Sequence, residues 1–291
     1  MNENFEQKSY LSHEGHIVTE GDLFRLKNQD SIDYWRHERM YGLLKPLLED
    51  KDRWLTVGDG MGTDANWLLK RDVDVTASDI SDAILIEANK NGFISKYSKE
   101  NAEKISFNDS SYDYVVCKEA YHHFPRPYIA AYEMLRVAKK AIIFIEPVDV
   151  VIHMPLILFL KNVLDRISPE LINKIWKNRY SFEETGNYVY KISEREMEKM
   201  AMGINMPYVA FKGLNDYFTT LLDLSQPVSN SKILNKVKAK INRRDLLCRL
   251  GIIPYQIMSA IIFKEKPSED VINRLKQDGY KVIKLKENPY L

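Results

Sequence analysis

Gly58, Gly60 and Gly62 stand at alternate positions directly after a short apolar run, 53–57, and a helical pattern follows them. Without a Cβ, such a turn bends sharply and lets a ligand reach the main chain. The helix behind it offers unpaired N–H groups. Asp79 closes a second apolar run, 73–77, and lies 17 residues after Gly62. A carboxylate at that place can accept both hydroxyls of a ribose. The two features together read as a nucleotide-cofactor turn. Gly60-Met61-Gly62-Thr63-Asp64-Ala65 also fits the dinucleotide fingerprint G-x-G-x-x-A. From the glycines alone, a nicotinamide dinucleotide, an adenosine sulfonium and an unliganded strand–helix turn all stay open.

A second cluster follows the run 112–117. Glu119, Tyr121, His122, His123 and Arg126 fall within nine residues, 118–126. Open α/β sheets hold their reactive groups just past the carboxyl ends of strands. Imidazole titrates near neutral pH, so His122 or His123 is a candidate base. Adjacent residues point in different directions, and one functional and one structural histidine are expected. Packed loop histidines are the plainer reading. Glu146 ends the β-branched run 141–145 on the same edge. It would be a base that meets an acceptor, or a strand-end carboxylate that binds backbone N–H groups. No cysteine or carboxylate cluster completes a ligand set, so no metal is expected.

The elements that must position these residues alternate. Strand-like runs at 53–57, 73–77, 94–97, 112–117 and 141–145 are separated by helical patterns at 66–70, 82–90 and 128–138. That rhythm implies a parallel sheet with right-handed crossovers. Ahead of it, 31–48 has apolar residues at helical spacing, and 1–30 gives little periodic signal. After Pro147 the rhythm changes. Helical patterns are expected at 156–167 and 169–177, and Ser193 with Glu196 forms a capping box. Further strands are expected at 208–212, 258–263 and 281–285, with a basic helical stretch at 231–250.

The chain has 291 residues, 45% hydrophobic and 29% charged, with net charge +1. This is an ordinary globular composition. Its charge gives no global field for nucleic acid. Cys117 and Cys248 give no disulfide framework, which fits a reducing, cytoplasmic setting. Neither a signal peptide nor a transmembrane run is found.

From Asn101-Ala102-Glu103 through Asp113 to the helix carrying Glu133 and Arg136, the chain resembles the class I S-adenosylmethionine-dependent methyltransferases. The resemblance spans 53–147 and rests on five segments in the right order. It implies a doubly wound, mostly parallel, Rossmann-like seven-stranded α/β sheet with helical insertions. It also implies S-adenosylmethionine as cofactor, S-adenosylhomocysteine as product, and no metal. By position, Gly58, Asp59, Gly60 and Gly62 would shape the methionine and ribose contacts. Asp79 would bind the ribose, with Ile80 against the adenine. Asn101, Ala102 and Glu103 would lie at the adenine edge, and Lys118 and Glu119 at the methionine end. The family's carboxylate two residues before the first glycine is Thr56 here, so Asp59 or Asp64 would take over its contact. Tyr34, Trp35, Arg36 and Arg39 would lie on a helix over the cofactor, or Trp35 would pack on the sheet with the arginines solvated.

The resemblance divides the chain into an N-terminal helical segment (1–50), a cofactor core (51–147), a helical lid (148–192) and a C-terminal part of the sheet (193–291). The last part carries a basic helical insertion at 221–255. Methyl transfer to a hydroxyl needs a positioned base, which makes His122, His123 and Glu146 the catalytic candidates. The segment 118–127 looks like one in bacterial methyltransferases of surface-polysaccharide gene clusters. The expected acceptor is a small molecule, sugar or glycan, taken by a monomer or homodimer. Apolar residues of 156–160 would pack in the core, or meet substrate, a partner or a membrane surface. The basic stretch leaves room for peripheral membrane contact, or is a solvated face. An oxidoreductase, an RNA methyltransferase and a non-catalytic binding protein are the rival readings.

Overall fold

The computed structural model describes Thr19 and residues 21–150, 153–168, 170, 172, 181, 182 and 187–290. Eight strands form one sheet: β1 (Arg53–Val57), β2 (Asp74–Asp79), β3 (Tyr97–Lys99), β4 (Tyr112–Lys118), β5 (Ala138–Pro147), β6 (Tyr208–Leu214), β7 (Ile257–Phe263) and β8 (Lys281–Lys284). Their order is β3-β2-β1-β4-β5-β7-β6-β8. The first five pair in parallel, and β7 runs antiparallel between β5 and β6. The expected seven-stranded sheet is therefore corrected to eight. β8 pairs antiparallel with β6 and closes that edge. Its Ile283 and the following Leu285 add apolar surface to one core cluster.

The central strands are apolar on both faces, as a sheet covered on both sides requires. One face carries a core from Leu23 to Tyr280, including Trp54, Trp67 and Ile143. The other gathers Leu55, Val115, Phe144, Met197 and Ile262. The crossover helices are α2 (Thr63–Leu69), α3 (Ala83–Lys90) and α4 (Pro127–Val137). Ile94 does not open β3 as expected. It is buried beside Gly62 and Leu85, and pairing with β2 begins only at Tyr97.

The expected long helix at 31–48 divides in two. Helix α1 (Ile32–Tyr41) gives way to a 3-10 turn, Gly42–Leu47. The turn contains Pro46, whose ring and missing N–H oppose a continuing α-helix. Trp35 does not pack on the sheet. It joins a small cluster with Ile32, Leu224, Val237 and Ile241, the last two from the helix Ser231–Arg249. Helix α5 (Pro155–Ile167), α6 (Glu194–Gly203), α7 (Ser231–Arg249) and α8 (Glu269–Gln277) complete the described framework. Ser193 caps α6 by accepting the Glu196 N–H, while the Glu196 side chain takes the Tyr128 hydroxyl instead of closing the box. The expected core fate of 156–160 is not met. Leu156 is 71% exposed, and Phe159 and Leu160 are also exposed. The helix expected at 169–177 lies largely outside the described residues. Among the described residues, no helix is long and apolar enough to cross a membrane.

Candidate cofactor and acceptor site

The carboxyl ends of β1, β2, β3 and β4 open into a cavity of about 520 Å³. Its floor is the glycine turn. Gly58 adopts φ +74°, and a Cβ there would stand 2.4 Å from the Ala120 Cβ. A Cβ on Gly60 would stand 3.2 Å from Asp79 Oδ2. The turn is thus a bare-backbone cradle with the Asp79 carboxylate against it. Asp79 Oδ1 accepts the Ser81 N–H at 2.9 Å, so its carboxylate is fixed at the end of β2. Gly62 is not among the residues that line the cavity. Its φ is +70°, and a Cβ would press on Ile94 and Leu85 at 3.2 and 3.3 Å. It serves the turn and the packing beneath it.

Asp59 explains what stands where the family carboxylate is missing. Its carboxylate accepts the N–H groups of Asp64 and Ala65 at 3.2 and 2.9 Å and the Thr56 hydroxyl at 3.0 Å. It therefore occupies the amino end of α2 and satisfies donors that the helix leaves open. Burial, then neighbouring Asp64, push its carboxyl well above the ordinary range. A dinucleotide pyrophosphate needs those same N–H groups. Here the Asp64 and Ala65 N–H groups are already taken by the Asp59 carboxyl group. This arrangement disfavours the oxidoreductase reading.

The methionine-end expectation for Lys118 and Glu119 places both on the cavity wall. Lys118 Nζ lies 3.4 Å from Asp64 Oδ1 and 3.4 Å from Glu119 Oε2. Burial alone would lower the Lys118 pKa, but Asp64, Tyr41 and Glu119 outweigh it and hold the ammonium charged. Glu119 sits at φ +51°, a left-handed conformation that costs a non-glycine residue about 1 kcal/mol or more. That twist turns the chain out of β4 and over the cavity.

Ile80, Asn101 and Ala102 also line the cavity. The Asn101 side-chain oxygen accepts the Glu103 N–H at 2.8 Å, a local turn that exposes the backbone edge. Glu103 lines the wall too, but its carboxylate is committed. It takes the Arg126 N–H and Nε, each at 2.6 Å, and pins the loop after β4.

Glu146 is fully buried and stands as a strand-end carboxylate that binds backbone N–H groups, one of the two readings offered for it. Its Oε1 accepts the N–H groups of Ala120 and Tyr121, both at 2.9 Å, and its Oε2 lies 2.6 Å from His122 Nδ1. A carboxylate only accepts, so Nδ1 carries the proton and Nε2 is the basic nitrogen. The His122 and His123 rings are 4.0 Å apart, and His123 lines the cavity. His122 is thus held by a carboxylate, and His123 forms part of the wall.

The roof comes from the N-terminal region, where sequence reasoning named the wrong side of the helix. Arg36 pairs with Asp33 and Asp216, Arg39 reaches the Asn215 carbonyl, and neither these nor Tyr34 and Trp35 line the cavity. His37, Arg25 and Asp22 do. His37 Nδ1 is 3.6 Å from Glu119 Oε2, and Arg25 is held by Asp33 at 2.9 Å. Burial, then Lys118, Arg25 and Arg36, lower the His37 pKa well below its ordinary value. No local motif marks these residues, because they reach the site only through the fold. Among the described residues, no group of three or more His, Cys, Asp or Glu could hold a metal.

Residues 55–145 match the family model described as a methyltransferase domain. No curated protein matches the chain. Among solved structures, the chain is similar to an S-adenosylmethionine-dependent methyltransferase from Archaeoglobus fulgidus. That match covers 84% of this chain and 100% of the other, at 15% identity and TM-score 0.51. It is also similar to the YcgJ protein of Bacillus subtilis, over 79% of this chain and 100% of the other, at 19% identity and TM-score 0.49. Residues 55–145 therefore match a methyltransferase-domain model, and the chain has the fold seen in S-adenosylmethionine-dependent methyltransferases.

Proposed function

We propose that the chain transfers a methyl group from S-adenosylmethionine to a hydroxyl of a small molecule, sugar or glycan. Bound S-adenosylmethionine supplies an electrophilic methyl on a sulfonium. The bare glycine cradle and the Asp79 carboxylate suit its ribose. Its methionine end carries both charges, and the cavity offers both complements. Lys118 and Arg25 would meet the carboxylate, and Asp64 and Glu119 the ammonium.

The observation that carries the hydroxyl reading is the 2.6 Å contact between His122 Nδ1 and the buried Glu146. Glu146 fixes the tautomer and would stabilise the imidazolium as His122 Nε2 takes the acceptor proton. His122 is not itself among the cavity-lining residues; its ring lies 4.0 Å from that of His123, which is. Glu146 acts through His122 and is a positioning residue.

Calorimetry with S-adenosylhomocysteine, followed by an acceptor screen with methyl-labelled S-adenosylmethionine, tests this. His122→Ala is expected to lower kcat by about 100-fold or more with unchanged S-adenosylhomocysteine affinity. Glu146→Gln should lower kcat and move the acidic limb of its pH profile. Failure of S-adenosylhomocysteine to bind would sink the cofactor assignment. Full activity of His122→Ala would sink the base assignment alone.

A further inference from the structure

The sheet directions place two insertions at one edge. β1 to β5 are parallel, so the chain leaves β5 at the same edge where Gly58, Asp79 and Glu119 stand. β6 is antiparallel to β7, which is antiparallel to β5, so β6 also ends there. The described residues of 148–192 and the segment 215–256 therefore both leave the sheet at its carboxyl edge, the edge onto which the cavity opens, although none of them lines it. Gln256 O accepts the Val148 N–H at 2.9 Å, so the two insertions share a base.

These segments hold most of the exposed large apolar side chains among the described residues. Apart from Ile129, every exposed leucine, isoleucine, valine and phenylalanine among the described residues lies in one of them. On α5 the exposed positions are Leu156, Phe159, Leu160, Val163 and Ile167, a helical stripe of one face. The second insertion exposes Phe218, Leu221, Leu222, Leu246, Leu250 and Ile252. Soluble chains seldom leave such stretches uncovered.

Charge selects the occupant. Helix α7 carries seven Lys and Arg against one acidic residue, Asp245, in a chain whose net charge is only +1. Lys232, Lys236, Lys238, Lys240, Arg243 and Arg249 are exposed. On α5, Arg166 stands beside the apolar stripe, while Lys161 and Asp165 fall on the opposite side of the helix by sequence position. Exposed apolar side chains beside clustered cations match the boundary of an anionic lipid bilayer, with acyl chains below and phosphates above.

We propose that the rim formed by α5 and the 215–256 insertion docks on an anionic membrane surface and sets the cavity mouth at the lipid headgroups. An acceptor held in or on that membrane would then reach His122 without leaving it. The docking stands apart from the methyl-transfer reading and is tested without turnover.

The full chain is sedimented with vesicles of phosphatidylcholine alone and of three parts phosphatidylcholine to one part phosphatidylglycerol. It should pellet with the mixed vesicles, be released by high salt, and stay in solution with phosphatidylcholine alone. Each basic residue at such a surface contributes roughly fivefold in affinity. Lys240→Ala with Arg243→Ala should therefore weaken partition by at least about tenfold. Phe159→Glu with Leu160→Glu should abolish it. Both double variants should keep wild-type affinity for S-adenosylhomocysteine and wild-type Tm, since all four side chains are exposed. Equal binding to both vesicles, or no loss in either variant, would overturn the proposal. A wild-type dimer that Phe159→Glu with Leu160→Glu splits into monomers would assign the surface to a second copy of the chain and overturn it too.

Discussion

Gly58 and Gly62 share a left-handed backbone but serve different ends. At Gly58 an added Cβ runs into Ala120 and closes the cradle; at Gly62 it runs into Ile94 and Leu85 below the turn. Gly58→Ala should abolish S-adenosylhomocysteine binding. Gly62→Ala should cost about 1–3 kcal/mol of stability, from strain and overpacking, while binding persists. Calorimetry paired with thermal unfolding separates the two, and retained binding in Gly58→Ala would refute the cradle. The sequence made the glycines and Asp79 visible because their chemistry is local to two strand ends. Glu146 could not be resolved that way, since its partners lie 24 to 26 residues earlier in the chain. His37 was invisible for the same reason, and it titrates informatively. Its folded pKa lies well below the unfolded value, chiefly through burial, so the imidazole is neutral in the fold. The unfolded chain takes up this proton as pH falls below about 6.5, and the folded chain does not. Stability from this group is therefore full above that pH and declines toward pH 5. The stability advantage of wild type over His37→Asn should shrink across that window. Parallel pH curves for the two proteins would show that His37 is not the group concerned.

At the scale of elements, the alternating strands and helices up to Pro147 were legible because each is amphipathic or apolar over its own length. The insertions were not. The periodicity of 156–167 announces a helix, but it cannot say whether the apolar stripe is covered, because the covering surface must come from elsewhere in the chain. The same limit applies to the roof. Helix α1 presents His37 to the cavity only because α7 holds its far side. Val237 and Ile241 press on Ile32, and Arg36 reaches Asp216 at the foot of the insertion. Ile241 is buried and does not line the cavity. Ile241→Ala should cost about 2–5 kcal/mol locally and loosen α1. S-adenosylhomocysteine affinity should then fall by about tenfold, with faster amide exchange over 31–41. An unchanged affinity alongside faster exchange would mean that α1 contributes nothing to the ligand.

At the scale of the whole molecule, the segments 43–49 and 274–280 are fastened together. Helix α8 sends Arg274 to the Pro46 carbonyl and Glu49, each at 2.9 Å. Tyr280, just before β8, donates its hydroxyl to the Leu43 carbonyl at 2.7 Å and meets Ser259 at 2.9 Å. The 3-10 turn and β7, though far apart in sequence, thus share one buried hydroxyl. One sheet runs unbroken from β3 to β8, so the segments 51–147 and 193–291 have no separate cores. The whole described framework is expected to unfold in one transition. Tyr280→Phe tests this. It leaves the Leu43 carbonyl and the Ser259 hydroxyl without a partner in a dry site, at a cost of about 1–3 kcal/mol. If the two segments are coupled, the urea midpoint should fall equally by two probes. One is tryptophan fluorescence in a background with Trp35→Phe and Trp176→Phe, which reports on Trp54 of β1 and Trp67 of α2. The other is backbone circular dichroism, which reports on every helix and strand. A dichroism midpoint that fell while the fluorescence midpoint stayed in place would mean that 193–291 melts by itself, and that the cofactor core does not need β8 to stand.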